Sequence, residues 1–122
     1  MRNATQIYGK VSKQISNPRE LEANLLLQAA SRLQAAQDDW DRNSPDLSGA
    51  LLYNRRLWTI FLTSVMGEDS PLTTEIRQNV ASLGLFVMKQ TMAITGDPRP
   101  EQLAPLININ REIAAGLLGR AA

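Results

Sequence analysis

Apolar residues recur along this chain at steps of three and four through four long stretches, each bounded by proline, glycine or small polar residues. That spacing is the period of an amphipathic helix. In the first stretch Leu21, Leu25, Ala29, Leu33, Ala36 and Trp40 form a stripe that Leu26, Leu27 and Ala30 widen. Asn17-Pro18-Arg19-Glu20 stands in front of it, with Asn as N-cap, Pro at the first helical position and Glu at N3. A helix is therefore predicted from there to about Trp40, broken by Asp41-Arg42-Asn43-Ser44-Pro45. The second helix should begin at Pro45-Asp46, capped by Ser44 or Asp46, and end near Gly67. Glu68-Asp69-Ser70-Pro71 reads as a turn that places negative charge at the start of a third helix, from about Leu72 to Thr95. Asp97-Pro98-Arg99-Pro100 is a rigid connector. A last helix follows from Pro100 or Glu101 to about Leu118, with Gly119 as its stop.

Ahead of these helices, residues 1–19 carry Arg2, Lys10, Lys13 and Arg19 and no acidic residue. Ile7, Val11 and Ile15 recur every fourth position with Tyr8 beside the first, which predicts a short amphipathic helix over residues 5–16. Such a length is marginal without tertiary support. Strands have no comparable signal, since sustained alternation and Asn-Gly or Asp-Gly hairpin pairs are absent. The expected architecture is all-α: a helical bundle of four main helices plus a short N-terminal amphipathic helix, in one domain over residues 1–122 whose leader, residues 1–17, is a candidate mobile segment.

Three asparagines interrupt the apolar stripes. Asn54 falls among Leu47, Leu51, Trp58, Phe61 and Val65; Asn110 falls among Leu103, Leu106 or Ile107, Ile113 and Leu117; Asn79 lies at the edge of Leu72, Ile76, Val80, Leu83 and Val87. An unpaired buried amide costs about 1–3 kcal/mol. The three therefore predict either a hydrogen-bonded layer that sets helix pairing or a surface that meets a partner.

Composition narrows the chemistry. The chain has no Cys and no His, which removes disulfides, thiolate or imidazole metal ligands, and the usual general base. Neither a Walker nor a dinucleotide-binding glycine pattern occurs. Asp38, Asp39 and Asp41 lack the spacing of a calcium loop and read as a solvated helix end. No catalytic residue, cofactor or metal is expected, and the chain is read as a binding protein rather than an enzyme. A formal charge of +1 supplies no general attraction for nucleic acid or anionic lipid. Without a signal-peptide-like run or a stretch of about 18 apolar residues, a cytoplasmic protein is expected, with no membrane insertion.

Arg55 and Arg56 follow Asn54 and flank the buried stripe at about 100° to one another. They suit carboxylate or phosphate recognition. Trp58 on the same stripe reads first as core and second as an anchor in a partner groove, because Trp and Arg are enriched at binding hot spots. The leader has two readings as well: a loosely docked terminus, or a cover whose Ile7, Tyr8, Val11 and Ile15 shield an apolar groove until a partner helix displaces them.

Several blocks taken together resemble the FlaF flagellar biosynthesis regulator family of alphaproteobacteria. They are Pro18-Arg19-Glu20-Leu21-Glu22-Ala23; Asn54-Arg55-Arg56-Leu57-Trp58-Thr59-Ile60-Phe61; Asn79 with Leu83-Gly84-Leu85-Phe86-Val87; and Ile109-Asn110-Arg111-Glu112-Ile113-Ala114-Ala115-Gly116-Leu117. The similarity runs from Tyr8 to Leu117, and the blocks at 54–61 and 109–117 are its most specific parts. It implies a small protein needed for flagellin production or export, linked to flagellin and to the companion regulator FlbT, which represses flagellin mRNA translation. It also implies the logic of helical export chaperones, which hold a flagellin segment unpolymerised. No catalytic residues come with it. The expected partner is flagellin, bound through Asn54, Arg55, Arg56, Trp58, Asn110 and Arg111 with Tyr8 on the removable cover. The alternative is post-transcriptional regulation, on flagellin mRNA directly or through a translational regulator. The number of copies in the assembly and the flagellin segment bound are left open by the sequence.

Overall fold

The computed structural model describes residues 18–119. Four helices account for most of them: α1 (Pro18–Asp38), α2 (Pro45–Val65), α3 (Thr74–Gly96) and α4 (Leu103–Leu117), with a 3-10 turn at Pro100–Gln102. The expected helical bundle is what forms, and no strand occurs among the described residues. The expected leader helix over residues 5–16, Tyr8 within it, and the Asn17 cap lie outside the described residues.

Successive helices run antiparallel. Gln28 meets Tyr53 across α1 and α2, Leu62 meets Gly84 across α2 and α3, and Gln90 bonds the carbonyl of Gln102. The α1 helix packs most closely against α4 and next against α2; α2 also packs on α3, while α3 meets α4 only lightly. Small buried side chains permit the close α1 contacts: Ala23, Ala29, Ala30 and Ala36 on α1 and Ala114 on α4. Larger ones fill the space toward α2, where Leu47, Leu51, Trp58, Phe61 and Val65 are all buried. Each fully buried Leu or Phe contributes about 1.5–3 kcal/mol relative to exposure.

Helix ends differ from the sequence expectation for local reasons. The α1 helix stops at Asp38 rather than Trp40, because the Asp41 carboxylate accepts the Asn43 N–H at 3.0 Å and forms a competing turn. Ser44 caps α2, accepting from Asp46 N–H at 3.1 Å. The α3 helix starts at Thr74 rather than Leu72, because Thr73 accepts the Ile76 N–H at 3.3 Å and is the N-cap. The acidic residue in its first turn is accordingly Glu75, not Glu68 or Asp69. Before α4, the Arg99 N–H donates to Gln102 Oε1 at 2.9 Å, and side chains of Gln37 and Gln90 bind the carbonyls of Pro100 and Gln102. Gly119, at φ 74°, ends α4 in the left-handed conformation that glycine tolerates.

Gly84 is a packing requirement of a different kind. A Cβ there would lie 2.6 Å and 2.7 Å from the two terminal methyls of Leu62. The α2 side chain lies directly against the α3 backbone at this position.

Candidate binding surface

The polar interruptions of the α2 and α4 stripes meet inside the bundle. Asn54, Trp58 and Asn110 are each 0% exposed. The Trp58 indole N–H donates to Asn110 Oδ1 at 2.7 Å, and the Asn110 amide donates in turn to Asn54 Oδ1 at 2.6 Å. Phe61 packs edge-on against the Trp58 ring, centroids 5.3 Å apart. This chain joins α2 to α4 across the core, and only the Asn54 Nδ2 lacks a partner.

The three residues expected at a contact surface are thus interior groups that fix how α2 faces α4. Of the two meanings open to the asparagines, the hydrogen-bonded layer is the one realised, and it has two members rather than three. Asn79 is exposed, because the buried stripe of α3 runs through Val80, Gly84, Val87, Thr91 and Ile94.

The other expected contact residues among those described, Arg55, Arg56 and Arg111, are exposed but not together. Arg55 lines a groove between α2 and α3 with Met88, Thr91, Met92 and Thr95, a space of about 550 Å³. It continues toward Leu51, Leu52 and the Arg42–Ser44 turn. Arg56, about 100° further round α2, lines a separate groove against α1 with Leu25, Gly49, Tyr53, Leu57 and Ile60, of about 510 Å³. There the Arg32 guanidinium sits 4.7 Å from the Tyr53 ring centroid, a cation–π contact. Arg111 lies elsewhere, on α4 near the Gln34 side chain of α1 at 3.4 Å.

Apolar exposure is confined to one half of the molecule. Among the described residues, the large exposed apolar side chains are Leu52, Ile60, Met66, Ile76, Leu85, Phe86 and Met92, all on α2, on α3 or just after α2. Met92 is 74% exposed and Leu85 57%. Leu85, Lys89 and Met92 follow at steps of four and three, on one outer stripe of α3 beside the Arg55 groove. Leu52, Leu85 and Met92 fall outside the apolar stripes that periodicity picks out, and their meaning appears once the unpaired side of α3 is seen.

No group of three or more acidic side chains able to hold a metal ion occurs among the described residues. Asp38, Asp39 and Asp41 are exposed at the end of α1. Glu22 has its carboxyl pushed above the usual range by burial, an effect that nearby Arg19 partly offsets. No described helix is long and apolar enough to cross a membrane.

The fold and surface define an antiparallel helical bundle with a polar seam inside and cationic, apolar grooves on one side. A family model described as Flagellar protein FlaF matches residues 4–117, and the chain belongs to that family. No curated protein and no solved structure shows significant similarity to it.

Proposed function

We propose that this chain is a non-enzymatic, cytoplasmic flagellar protein that promotes flagellin synthesis or secretion by binding flagellin, in the manner of an export chaperone. The segment bound lies in the groove between α2 and α3. One observation carries this reading: the exposed apolar side chains cluster on α2 and α3, while α1 and α4 expose none of comparable size among the described residues. A long apolar groove between two helices accepts the apolar face of a third. Flagellin's terminal segments, which the family resemblance implies are amphipathic and assemble by helix packing, have such a face, and occupying it would keep them from polymerising.

In this reading Leu52 and Met92 make the contact and Arg55 flanks it. The seam of Asn54, Trp58 and Asn110 sets the spacing of the helices behind them. Burying a side chain the size of Met contributes about 1.5–3 kcal/mol. Met92→Glu should therefore weaken flagellin binding by at least about tenfold in calorimetric titration, with helix content unchanged. Unchanged affinity would overturn the assignment of the groove.

Regulation through flagellin mRNA is the competing reading. Direct RNA contact calls for clustered cations, yet Arg55 and Arg56 line different grooves and Arg111 lies on another face. A gel shift with flagellin leader RNA at two salt concentrations separates the two. A salt-sensitive shift lost on replacing Arg55 and Arg56 would favour the RNA reading.

A further inference from the structure

The charges around the groove specify the chemistry of what lies in it. The α2 and α3 helices carry acidic residues only in their first turns, Asp46 and Glu75. Beyond those turns their charged residues are Arg55, Arg56, Arg77 and Lys89, all cationic. Arg77 is engaged at the end of α2, donating to the Met66 carbonyl at 3.0 Å. Arg55 and Lys89 have no ion-pair partner among the described residues. Arg55 stands on the α2 wall, and Lys89 stands between Leu85 and Met92 on α3. The groove is thus an apolar floor with one unneutralised cation in its α2 wall and a second, Lys89, outside its lining on the outer stripe of α3 next to Met92.

Three kinds of occupant answer to that surface differently. The chain's own residues 1–17 carry Arg2, Lys10 and Lys13 and no acid, so they would bring cations to cations. A second copy docked by the same patch would set Arg55 and Lys89 against their own counterparts, since a two-fold interface pairs a surface with itself. An amphipathic partner helix with carboxylates beside its apolar stripe satisfies both the floor and the flanks.

Resting on the flagellin-binding reading for its location, we infer that the groove between α2 and α3 takes an amphipathic helix whose apolar stripe is flanked by acidic residues. Arg55 and Lys89 receive those carboxylates. The lined stretch of α3 from Met88 to Thr95 spans about 10 Å at 1.5 Å per residue, so roughly two turns of the partner make contact. The acids then fall beside apolar residues spaced i, i+4 and i+7.

The test uses the full chain and two synthetic 18-residue helical peptides with the same leucine stripe, flanked in one by Glu and in the other by Lys. Fluorescence anisotropy should give the Glu peptide about tenfold or more tighter binding, weakening as salt rises, as expected of two exposed ion pairs and two removed repulsions. The double substitution Arg55→Glu, Lys89→Glu should reverse the order, while Arg56→Glu leaves it unchanged. Circular dichroism of these exposed variants checks that helix content is kept. Equal affinity for the two peptides, a preference for the Lys peptide, or reversal by Arg56→Glu would overturn the inference. So would competition by a peptide copy of residues 1–17, or a dimer in sedimentation that Met92→Glu dissociates. The same titrations with purified flagellin keep the two readings apart. Flagellin bound with an affinity indifferent to Arg55 and Lys89 overturns the acidic flanks and spares flagellin binding. A Glu peptide bound as expected with flagellin unbound does the reverse.

Discussion

Removing the Asn110 side chain should cost this fold far more than removing Asn54, although the two amides are bonded to each other inside the same core. Asn110 is the central member of the seam, accepting from Trp58 Nε1 and donating to Asn54 Oδ1. In Asn110→Ala both groups lose their partner in a region with no solvent access. Each newly unsatisfied buried group costs about 1–3 kcal/mol, so two of them cost about 4 kcal/mol before any cavity is counted. Asn54 is terminal, and its Nδ2 is already unpaired. Asn54→Leu removes that standing penalty, adds buried apolar area and orphans only the Asn110 amide. The opposing contributions nearly cancel, leaving a loss of about 0–1 kcal/mol. Urea denaturation followed by far-ultraviolet circular dichroism measures both, with equal m-values as the check that the unfolded reference is unchanged. Equal losses for the two variants, or a loss below about 1 kcal/mol for Asn110→Ala, would refute the account of the seam.

Other substitutions test separate parts of the structure. Trp58→Ala should destabilise by about 3–5 kcal/mol, as for a large core side chain rather than a surface anchor, measured in the same denaturation series. Gly84→Ala should lose about 1 kcal/mol, because crowding against Leu62 outweighs the helix-propensity gain; in a Leu62→Ala background it should instead gain up to about 1 kcal/mol. Thr73→Ala should cost about 1 kcal/mol through loss of the α3 cap, seen as a lower urea midpoint. Glu22 titrates above its ordinary range in the fold, so its contribution to stability is fully present below the unfolded carboxylate pKa and is lost as pH rises through the folded one. Glu22→Gln should therefore be more stable than the parent at neutral pH, with the difference shrinking as the solution is acidified through the carboxylate range.

The helices were legible in the chain because their boundaries are chemical. Prolines at positions 18 and 45, Ser44 as cap and Gly119 as stop act locally, so the elements they bound could be placed without tertiary information. Boundaries shifted where two local signals competed: Asp41 ended α1 early, and Thr73 displaced the acidic turn as the start of α3. The polar interruptions at Asn54 and Asn110 marked an unusual layer, but periodicity alone does not say which side of a stripe faces inward. Trp58 resolves it by reaching across to Asn110, a contact 52 positions away in sequence. Arg55 and Arg56 could be placed on opposite flanks of the stripe from the 100° helix step alone, but which groove each one lines depends on α3 packing on one flank and α1 on the other. The groove between α2 and α3 was illegible for a related reason. Leu85 and Met92 stand out only once α3 is known to pack on α2 and scarcely on α4, leaving its outer stripe without a neighbour.

The most direct test of flagellin binding at this groove is site-specific photo-crosslinking, with a photoreactive residue placed in turn at Met92 and at Arg111. Flagellin captured from Met92 and not from Arg111 is the predicted result. Capture from Arg111 alone, or from neither position under conditions where the two proteins co-purify, would contradict it.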